Sequence, residues 1–162
     1  MRRNPQAKQG RMLEVLEQFR VIFKSLRSHY REVQKRTGIS GAQLWVLARV
    51  AARPGSHVGE MARALAIHQS TASNLLKSLE RRRLVARERR GADQRNVQLY
   101  ASAKGLRLLR RAPQPLIGVL QQALTDLPAP VLADLHLSLG RVIAAMKGKR
   151  VAAARALPLS EM

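Results

Sequence analysis

The sequence predicts a mainly α-helical fold, in which a winged helix-turn-helix with a two-stranded β-wing is flanked by long N- and C-terminal helices. Apolar residues recur at steps of three and four along most of the chain, which is the helical period. Between residues 85 and 100 the period changes to two, around the turn sequence 91–94. This hairpin follows two short helices joined by a tight turn, the order that is typical of a winged helix-turn-helix.

The N-terminal part predicts one long helix. Residues 1–10 are polar and basic, and we expect a disordered arm there. An apolar stripe then runs to about Arg36, and Gly38 is a stop signal. The stripe consists of Leu13, Leu16, Phe19, Phe23, Leu26, Tyr30 and Val33. A second apolar row beside it makes the stripe wider than one partner requires, so one side is expected to contact a second subunit.

A capping box begins the next helix. The Ser40 hydroxyl can accept a hydrogen bond from the amide three residues on, while Gln43 reaches back to the cap. Ile39 and Leu44 are placed to pack across it as a hydrophobic staple. The helices predicted in this region span 41–52, 58–66 and 69–83.

Prolines divide the rest of the chain. A helix begins near Ser102 and must break at Pro113 and Pro115, because each proline lacks an amide donor and clashes with the preceding turn. Pro128 and Pro130 mark the next boundary, before a last apolar stripe. The predicted organisation is a disordered basic arm at 1–10, a helical dimerisation region at 11–39 and 103–147, a DNA-binding domain at 40–102 and a loose tail at 148–162.

The composition favours a polyanionic partner. The 162 residues include 30 Lys and Arg against 10 Asp and Glu, a formal net charge of +20. Such a charge repels itself unless a polyanion is near. One Trp, two Tyr and two Phe are too few for the rows of stacked rings with which proteins hold single strands. Hydrophobic residues make up 46% of the chain, which is enough for a folded core. Together with the charge and the few aromatic residues, this predicts a folded protein that binds double-stranded DNA.

Residue content also disfavours several other classes. The chain has no cysteine, which excludes disulfides and cysteine-based zinc sites. The four histidines, His29, His57, His68 and His136, are far apart in sequence, so neither a metal nor a cofactor is expected. Neither a signal peptide nor a membrane span is apparent. We therefore expect a cytoplasmic, nucleoid-associated protein without a membrane partner.

The predicted helix at 69–83 has the composition of a surface that reads base edges. Its inner face is apolar: Ala72, Leu75, Leu76 and Leu79. Its outer face carries short hydroxyl and amide side chains and a lysine: Gln69, Ser70, Ser73, Asn74 and Lys77. Asn and Gln can pair with adenine in the major groove, and the amides at a helix start suit a phosphate. An ordinary solvated surface is the alternative, but such surfaces usually carry more Glu and Lys.

Basic residues continue from this helix into the hairpin. They are Lys77, Arg81, Arg82, Arg83, Arg87, Arg89, Arg90 and Arg95, against Glu80, Glu88 and Asp93. A run of charge alone is usually solvated surface. At the tip of a hairpin, however, an arginine could enter a narrow minor groove.

Three segments of the chain resemble the MarR family of winged-helix regulators. They are Gly59-Glu-Met-Ala-Arg-Ala-Leu-Ala-Ile67, His68-Gln-Ser-Thr-Ala-Ser-Asn-Leu-Leu-Lys-Ser-Leu-Glu80, and the wing Asp93-Gln-Arg95 with the following Asn96-Val-Gln-Leu-Tyr-Ala-Ser-Ala-Lys-Gly105. With the flanking helices the resemblance covers roughly residues 11–147. It implies a homodimer whose terminal helices interlock and whose two winged lobes bind palindromic promoter DNA. The pair Pro113 and Pro115 departs from the continuous helix of many members, which bears on the spacing of the lobes.

The resemblance also implies site residues. The residues expected to face the major groove are Gln69, Ser70, Thr71, Ser73, Asn74 and Lys77. Arg95 would enter or border the minor groove with Asp93 orienting it, and His68, Arg87 and Arg90 complete the DNA-binding set. Family members often bind a small aromatic or phenolic anion between the dimer helices and the winged lobe. Arg20, His29, Tyr30 and Trp45 could line such a pocket. Core packing of Tyr30 and Trp45, and a partly buried helix position for His29, explain these residues at least equally well.

These observations favour a DNA-binding transcription regulator, a ligand-responsive repressor that acts as a homodimer. The alternative is an architectural protein that binds any DNA sequence, against which the weakly charged face at 69–77 argues. An enzyme is not expected, because the ten acidic residues are scattered and form no carboxylate cluster for metal ions.

Overall fold

The computed structural model describes residues 5–89 and 97–146. The elements are α1 (Pro5–Thr37), α2 (Gly41–Ala52), α3 (Val58–Ala64), α4 (Gln69–Arg81), β1 (Val85–Arg89), β2 (Val97–Ala101), α5 (Ala103–Arg111), α6 (Val119–Asp126) and α7 (Ala129–Ala145). Strands β1 and β2 pair antiparallel. The predicted fold class, mainly helical with a two-stranded wing, is confirmed.

Helix α1 is longer than the sequence indicates. It begins at Pro5, so residues 5–10, which we expected in a disordered arm, are helical. Proline suits the first turn of a helix, and a single interior glycine such as Gly10 costs only about 1 kcal/mol. The helix ends where predicted, because Gly38 adopts a left-handed φ of +69° and its amide donates to the Gln34 carbonyl at 2.9 Å. Residues 1–4 of the expected arm and the expected tail at 148–162 lie outside the described residues.

The predicted capping box at the start of α2 is confirmed. The Gln43 amide donates to Ser40 Oγ at 3.2 Å, and the Ser40 amide donates to Gln43 Oε1 at 3.0 Å. The Gln43 side chain also donates to Ser78 Oγ at 2.9 Å, so the cap ties α2 to α4. Ile39 and Leu44 are both buried.

The hydrophobic core lies between α2, α4 and the base of the wing. Its fully buried side chains of greatest volume are Val33, Ile39, Leu44, Val46, Leu47, Val50, Met61, Leu76, Leu79, Leu84 and Leu99. They come from α1, α2, α3, α4 and β2 and from the loops between them. Burying an aliphatic side chain of this size contributes roughly 1.5–3 kcal/mol. The core therefore fixes the position of α4 relative to the wing.

Helices α3 and α4 both end earlier than predicted, and in the same way. The residue after each C-cap, Ala66 and Arg83, adopts a left-handed conformation, with φ of 52° and 58°. After α3, the Ile67 amide donates to the Ala62 carbonyl at 3.1 Å, which closes a Schellman motif. This conformation is usually signalled by glycine, and neither position has one. The sequence therefore gave no stop signal at these two helix ends.

The wing is joined to the core by an isolated antiparallel bridge between Ser56 and Leu99, which was not predicted from the sequence. The Leu99 amide donates to the Ser56 carbonyl at 3.0 Å, and the Gly55 amide donates to the Leu99 carbonyl at 2.8 Å. Strand β2 is thus bonded on both edges, to β1 and to the loop before α3. This arrangement holds the base of the hairpin beside the helix-turn-helix.

Helix α5 packs against the start of the wing through a glycine. A Cβ atom at Gly105 would lie 2.3 Å from the Leu84 carbonyl oxygen and 3.1 Å from Leu47 Cδ1. Ser102 caps the helix by accepting from the Gly105 amide at 3.0 Å, and its own amide donates to the Leu84 carbonyl at 3.0 Å. Only a residue without a side chain allows this approach.

The predicted break at the prolines is confirmed. Helix α5 ends at Arg111, before Pro113, and α6 starts only at Val119. Helices α6 and α7 contain no buried residue. None of the helices in the described parts of the chain is long and apolar enough to cross a membrane.

The contact at Gly105 makes a stability prediction. Gly105→Ala should lower the free energy of unfolding by about 1–3 kcal/mol, because the added methyl group forces α5 away from Leu84. Urea denaturation followed by circular dichroism measures the change. Gly10→Ala is the matched control, since a Cβ atom there meets nothing within 4 Å, and it should leave stability unchanged or raise it by up to about 1 kcal/mol. Equal stability of Gly105→Ala and wild type would contradict the close contact.

Candidate nucleic-acid interface

Helix α4 presents two chemically different faces. Its apolar residues, Ala72, Leu75, Leu76 and Leu79, are buried. The side chains of Gln69, Ser70, Asn74 and Lys77 are exposed, whereas Thr71 and Ser73 are half-buried. The candidate major-groove residues therefore share one accessible side of a helix whose other side is fixed by the core.

The N-terminus of α4 is open to solvent. His68 occupies the N-cap with an extended backbone, is exposed, and makes no side-chain capping bond. No acidic residue lies in the first turn of this helix. Its first amides, which lack partners within the helix, can therefore donate to an anion.

His57 links the helix-turn-helix to the wing, a role that sequence reasoning missed. Its ring Nδ1 lies 3.0 Å from the carbonyl oxygen of Val97, the first residue of β2. Its amide donates to the Glu60 carboxylate at 3.0 Å, and this bond is the main reason that the pKa of Glu60 is lowered. The spacing of His57 and Glu60 at an N-cap and its third helical residue could have indicated the Glu60 cap. Nothing in the sequence indicated the contact with the wing.

Part of the basic run is used within the protein. Arg87 on β1 pairs with Glu80 on α4. Arg82 Nη1 donates to the Gly38 carbonyl at 2.6 Å, and Lys104 Nζ donates to the Arg82 carbonyl at 2.9 Å. These contacts connect α4 to the wing, to the end of α1 and to α5, so Arg87, which we assigned to DNA, also stabilises the domain.

Other basic residues of the run remain accessible. Lys77, Arg81 and Arg83 are exposed. The predicted contacts at the tip of the wing, Arg90, Asp93 and Arg95, lie outside the described residues. The described part of the interface is thus the outer face of α4 with its exposed N-terminus and flanking cations.

Two of the four candidate ligand residues, His29 and Arg20, line grooves in the described part of the chain, and these grooves are different. His29 lines a groove of about 500 Å³ between α1 and the loop after α5, together with Lys24, Ser25, Ser28, Glu32, Pro113, Gln114 and Val119. Arg20 lines a neighbouring groove along α1. Tyr30 lies edge-on to the His29 ring, with centroids 5.7 Å apart, and Trp45 packs against the core.

The electrostatics of this region follow from burial. Partial burial lowers the pKa of His29, which favours the neutral imidazole. Burial likewise raises the pKa of the Tyr30 hydroxyl. Among residues 5–89 and 97–146, no three His, Asp or Glu side chains form a group that could hold a metal ion.

Comparison with known proteins relates part of the chain to a known family. Residues 37–96 match the model of the MarR family. No curated protein matches the chain in sequence. Members of the family are transcription regulators rather than enzymes, which agrees with the expectation drawn from the scattered acidic residues.

Several solved structures share the fold. The complex of S. aureus MepR with DNA is 20% identical, with a TM-score of 0.56 over 80% of this chain and 94% of that one. A MepR-like protein complexed with pseudoligands is 17% identical, with a TM-score of 0.57 over 80% and 91%. Wild-type MarR from E. coli, in its apo form, is 21% identical, with a TM-score of 0.51 over 82% and 95%.

The family match covers α2, α3, α4 and β1, the elements that build the candidate interface, and the likeness of fold extends to the flanking helices. Residues 37–96 of this chain are therefore similar to the MarR family of winged helix-turn-helix proteins.

Proposed function

We propose that the protein is a transcription regulator that reads the major groove of promoter DNA with the outer face of α4. The observation that carries this proposal is the division of α4 into a buried apolar face and an exposed face of amide, hydroxyl and lysine side chains. A major groove accepts one α-helix, and these side chains suit base edges. The match to the MarR family and the DNA complex of MepR support the same assignment.

The terminal helices support a homodimer. Large apolar side chains are exposed on both: Met12, Leu13, Val15, Leu16, Val21, Ile22 and Phe23 on α1, and Val131, Leu132, Leu137, Val142 and Ile143 on α7, with Met146 at its C-cap. Extensive apolar surface on a soluble protein marks an interaction site. We infer that a second copy covers it, so that two α4 helices are related by a two-fold axis. Such a dimer suits a palindrome with half-sites about 10 bp apart.

A small aromatic or phenolic anion is proposed as the effector. The groove at His29 combines a cation, Lys24, with the apolar atoms of Pro113 and Val119. Its volume of about 500 Å³ is in the range of small-molecule sites. The complex of the MepR-like protein with pseudoligands supports a ligand site on this fold. An anion that binds better to a conformer with wrongly spaced lobes would weaken DNA binding by that difference in affinity, which makes the protein a repressor released by its effector.

We propose that such a regulator acts in the cytoplasm, at the nucleoid. The alternative, an architectural protein, would bind every duplex equally. The two are separated by the specificity ratio between an operator and random DNA.

The assignment of α4 is tested with Asn74→Ala. We expect wild type to prefer the duplex upstream of its own gene over a scrambled duplex by about 1,000-fold or more, and Asn74→Ala to lose roughly 5- to 150-fold of that preference, because one base contact disappears. Fluorescence anisotropy at about 150 mM salt measures both affinities.

The control is Gln34→Ala, an exposed amide on α1 that is remote in sequence from α4. It should leave the specificity ratio unchanged. If Asn74→Ala keeps the wild-type ratio, the reading face is wrongly assigned. If wild type binds both duplexes equally and a genome-wide selection finds no operator, the protein is an architectural protein.

The dimer is tested with Val142→Lys. Val142 on α7 is 45% exposed, and a lysine there would place a charge in the proposed apolar interface. Light scattering coupled to size exclusion should show a dimer for wild type and a monomer for the variant. Asp134→Lys, at an exposed position of the same helix that already carries a charge, is the control and should remain dimeric. A monomeric wild type at all concentrations would refute the homodimer.

The effector is tested with Lys24→Ala. Titrating a panel of hydroxybenzoates should release the wild-type protein from DNA, and Lys24→Ala should require at least about 10-fold more anion because it lacks the cation at the groove. Lys35→Ala, a cation on the same helix that does not line the groove, should respond as wild type does. An identical response of both variants would remove the groove from consideration.

A further inference from the structure

We propose that a small cleft at the junction of α1 and α5 binds a phosphate group. The cleft has a volume of about 210 Å³ and is lined by Arg36, Thr37, Lys104, Arg107, Leu108 and Arg111. None of these residues belongs to the outer face of α4 or to the groove at His29. The site is therefore separate from both surfaces of the proposed function.

The two helices bring the cations together by regular spacing. Lys104, Arg107 and Arg111 follow at steps of three and four, which places them on one side of α5. Arg36 and Thr37 form the last turn of α1. Thr37 Oγ1 donates to the Val33 carbonyl at 2.6 Å. This bond fixes the wall of the cleft at the end of α1.

The neighbouring packing holds the cleft in shape. Gly105, next to Lys104, is buried against the backbone of Leu84. Lys104 Nζ donates to the Arg82 carbonyl at 2.9 Å, and Arg82 in turn donates to the Gly38 carbonyl just after α1. The two walls are thus joined by hydrogen bonds as well as by the core.

The positive charge of the cleft is only partly compensated. Four of its six lining residues are cationic, and none is acidic. Glu32, outside the lining, pairs with Arg36. Within the described ranges, no carboxylate pairs with the guanidinium groups of Arg107 and Arg111. Lys104 also stands in the first turn of α5, where the helix dipole disfavours a cation. An anion in the cleft offsets both the mutual repulsion and this unfavourable position.

The size and lining of the cleft select the chemical class of the anion. A volume of about 210 Å³ lies below the range of roughly 300–1,000 Å³ typical of sites for drug-sized molecules. Leu108 is the only apolar side chain in the lining, so an aromatic ring would find little to pack against. Guanidinium groups bind phosphate oxygens in pairs of parallel hydrogen bonds. A phosphate or pyrophosphate group therefore fits better than an aromatic anion.

The phosphate could come from two sources that share this chemistry, the backbone of DNA beyond the operator or a free phosphate compound. In either case the bound phosphate is linked to α4, because Lys104 donates to the carbonyl of Arg82, the C-cap of that helix. The experiment therefore has one arm for each source.

The first arm uses pyrophosphate and the full-length protein. Isothermal titration at constant ionic strength should show saturable binding to wild type, and Arg107→Gln combined with Arg111→Gln should weaken it at least about 10-fold, since two of four cations are lost. Arg110→Gln is the matched control, because Arg110 is an exposed residue of α5 that does not line the cleft. It should bind as wild type does, and circular dichroism checks that the double variant is folded.

The second arm uses DNA with and without long flanks. If the cleft holds a backbone phosphate, the double variant should reduce the slope of log K against log salt by about 1 on the long duplex and leave it unchanged on the short one. If it holds a free compound, the slopes should agree and pyrophosphate should change DNA affinity only in proteins with an intact cleft. The proposal is overturned if two results occur together. Pyrophosphate binds wild type and the double variant equally, or binds neither protein, and both proteins show the same salt slope on the long duplex.

Discussion

The burial of the inner face of α4 is the constraint on which the rest of the structure depends. Leu76 and Leu79 are fully buried beneath α2 and the base of the wing, so the helix can neither rotate nor slide without exposing them. The same burial determines which side chains face outward, because residues on a helix alternate between faces with a fixed period. The polar face therefore owes its orientation to the leucines of the buried face.

Polar contacts then fasten the neighbouring elements to this helix. Gln43 on α2 binds Ser78, and Arg87 on the wing binds Glu80. Arg82 binds the carbonyl of Gly38, just after α1. His57 adds a link between the start of α3 and β2. Basic residues in this region thus have two roles, since some hold the domain together while others remain exposed. A count of positive charges in the sequence does not distinguish the two.

The fold was largely predictable from sequence because its signals are local. The capping box at Ser40, the stop at Gly38 and the break at Pro113 each act within a few residues, and the structure confirms all three. The features that were not predicted have no local signal in the sequence. Left-handed helix ends at Ala66 and Arg83 lack glycine, and the contact of His57 with the wing joins residues 40 positions apart. The candidate ligand residues Arg20 and Trp45 lie apart, one at a groove along α1 and the other against the core, and their assignment stays a prediction.

Helix α7 has 17 residues and none of them is buried. An isolated helix of about this length is marginal in water, since its packing rather than its backbone supplies most of its stability. In the proposed dimer a second copy would cover the apolar side of α7, so that unfolding would also be a dissociation and would obey the law of mass action. The melting temperature would then rise with protein concentration, and the number of molecules in the cell would be one of the quantities that keep this protein folded.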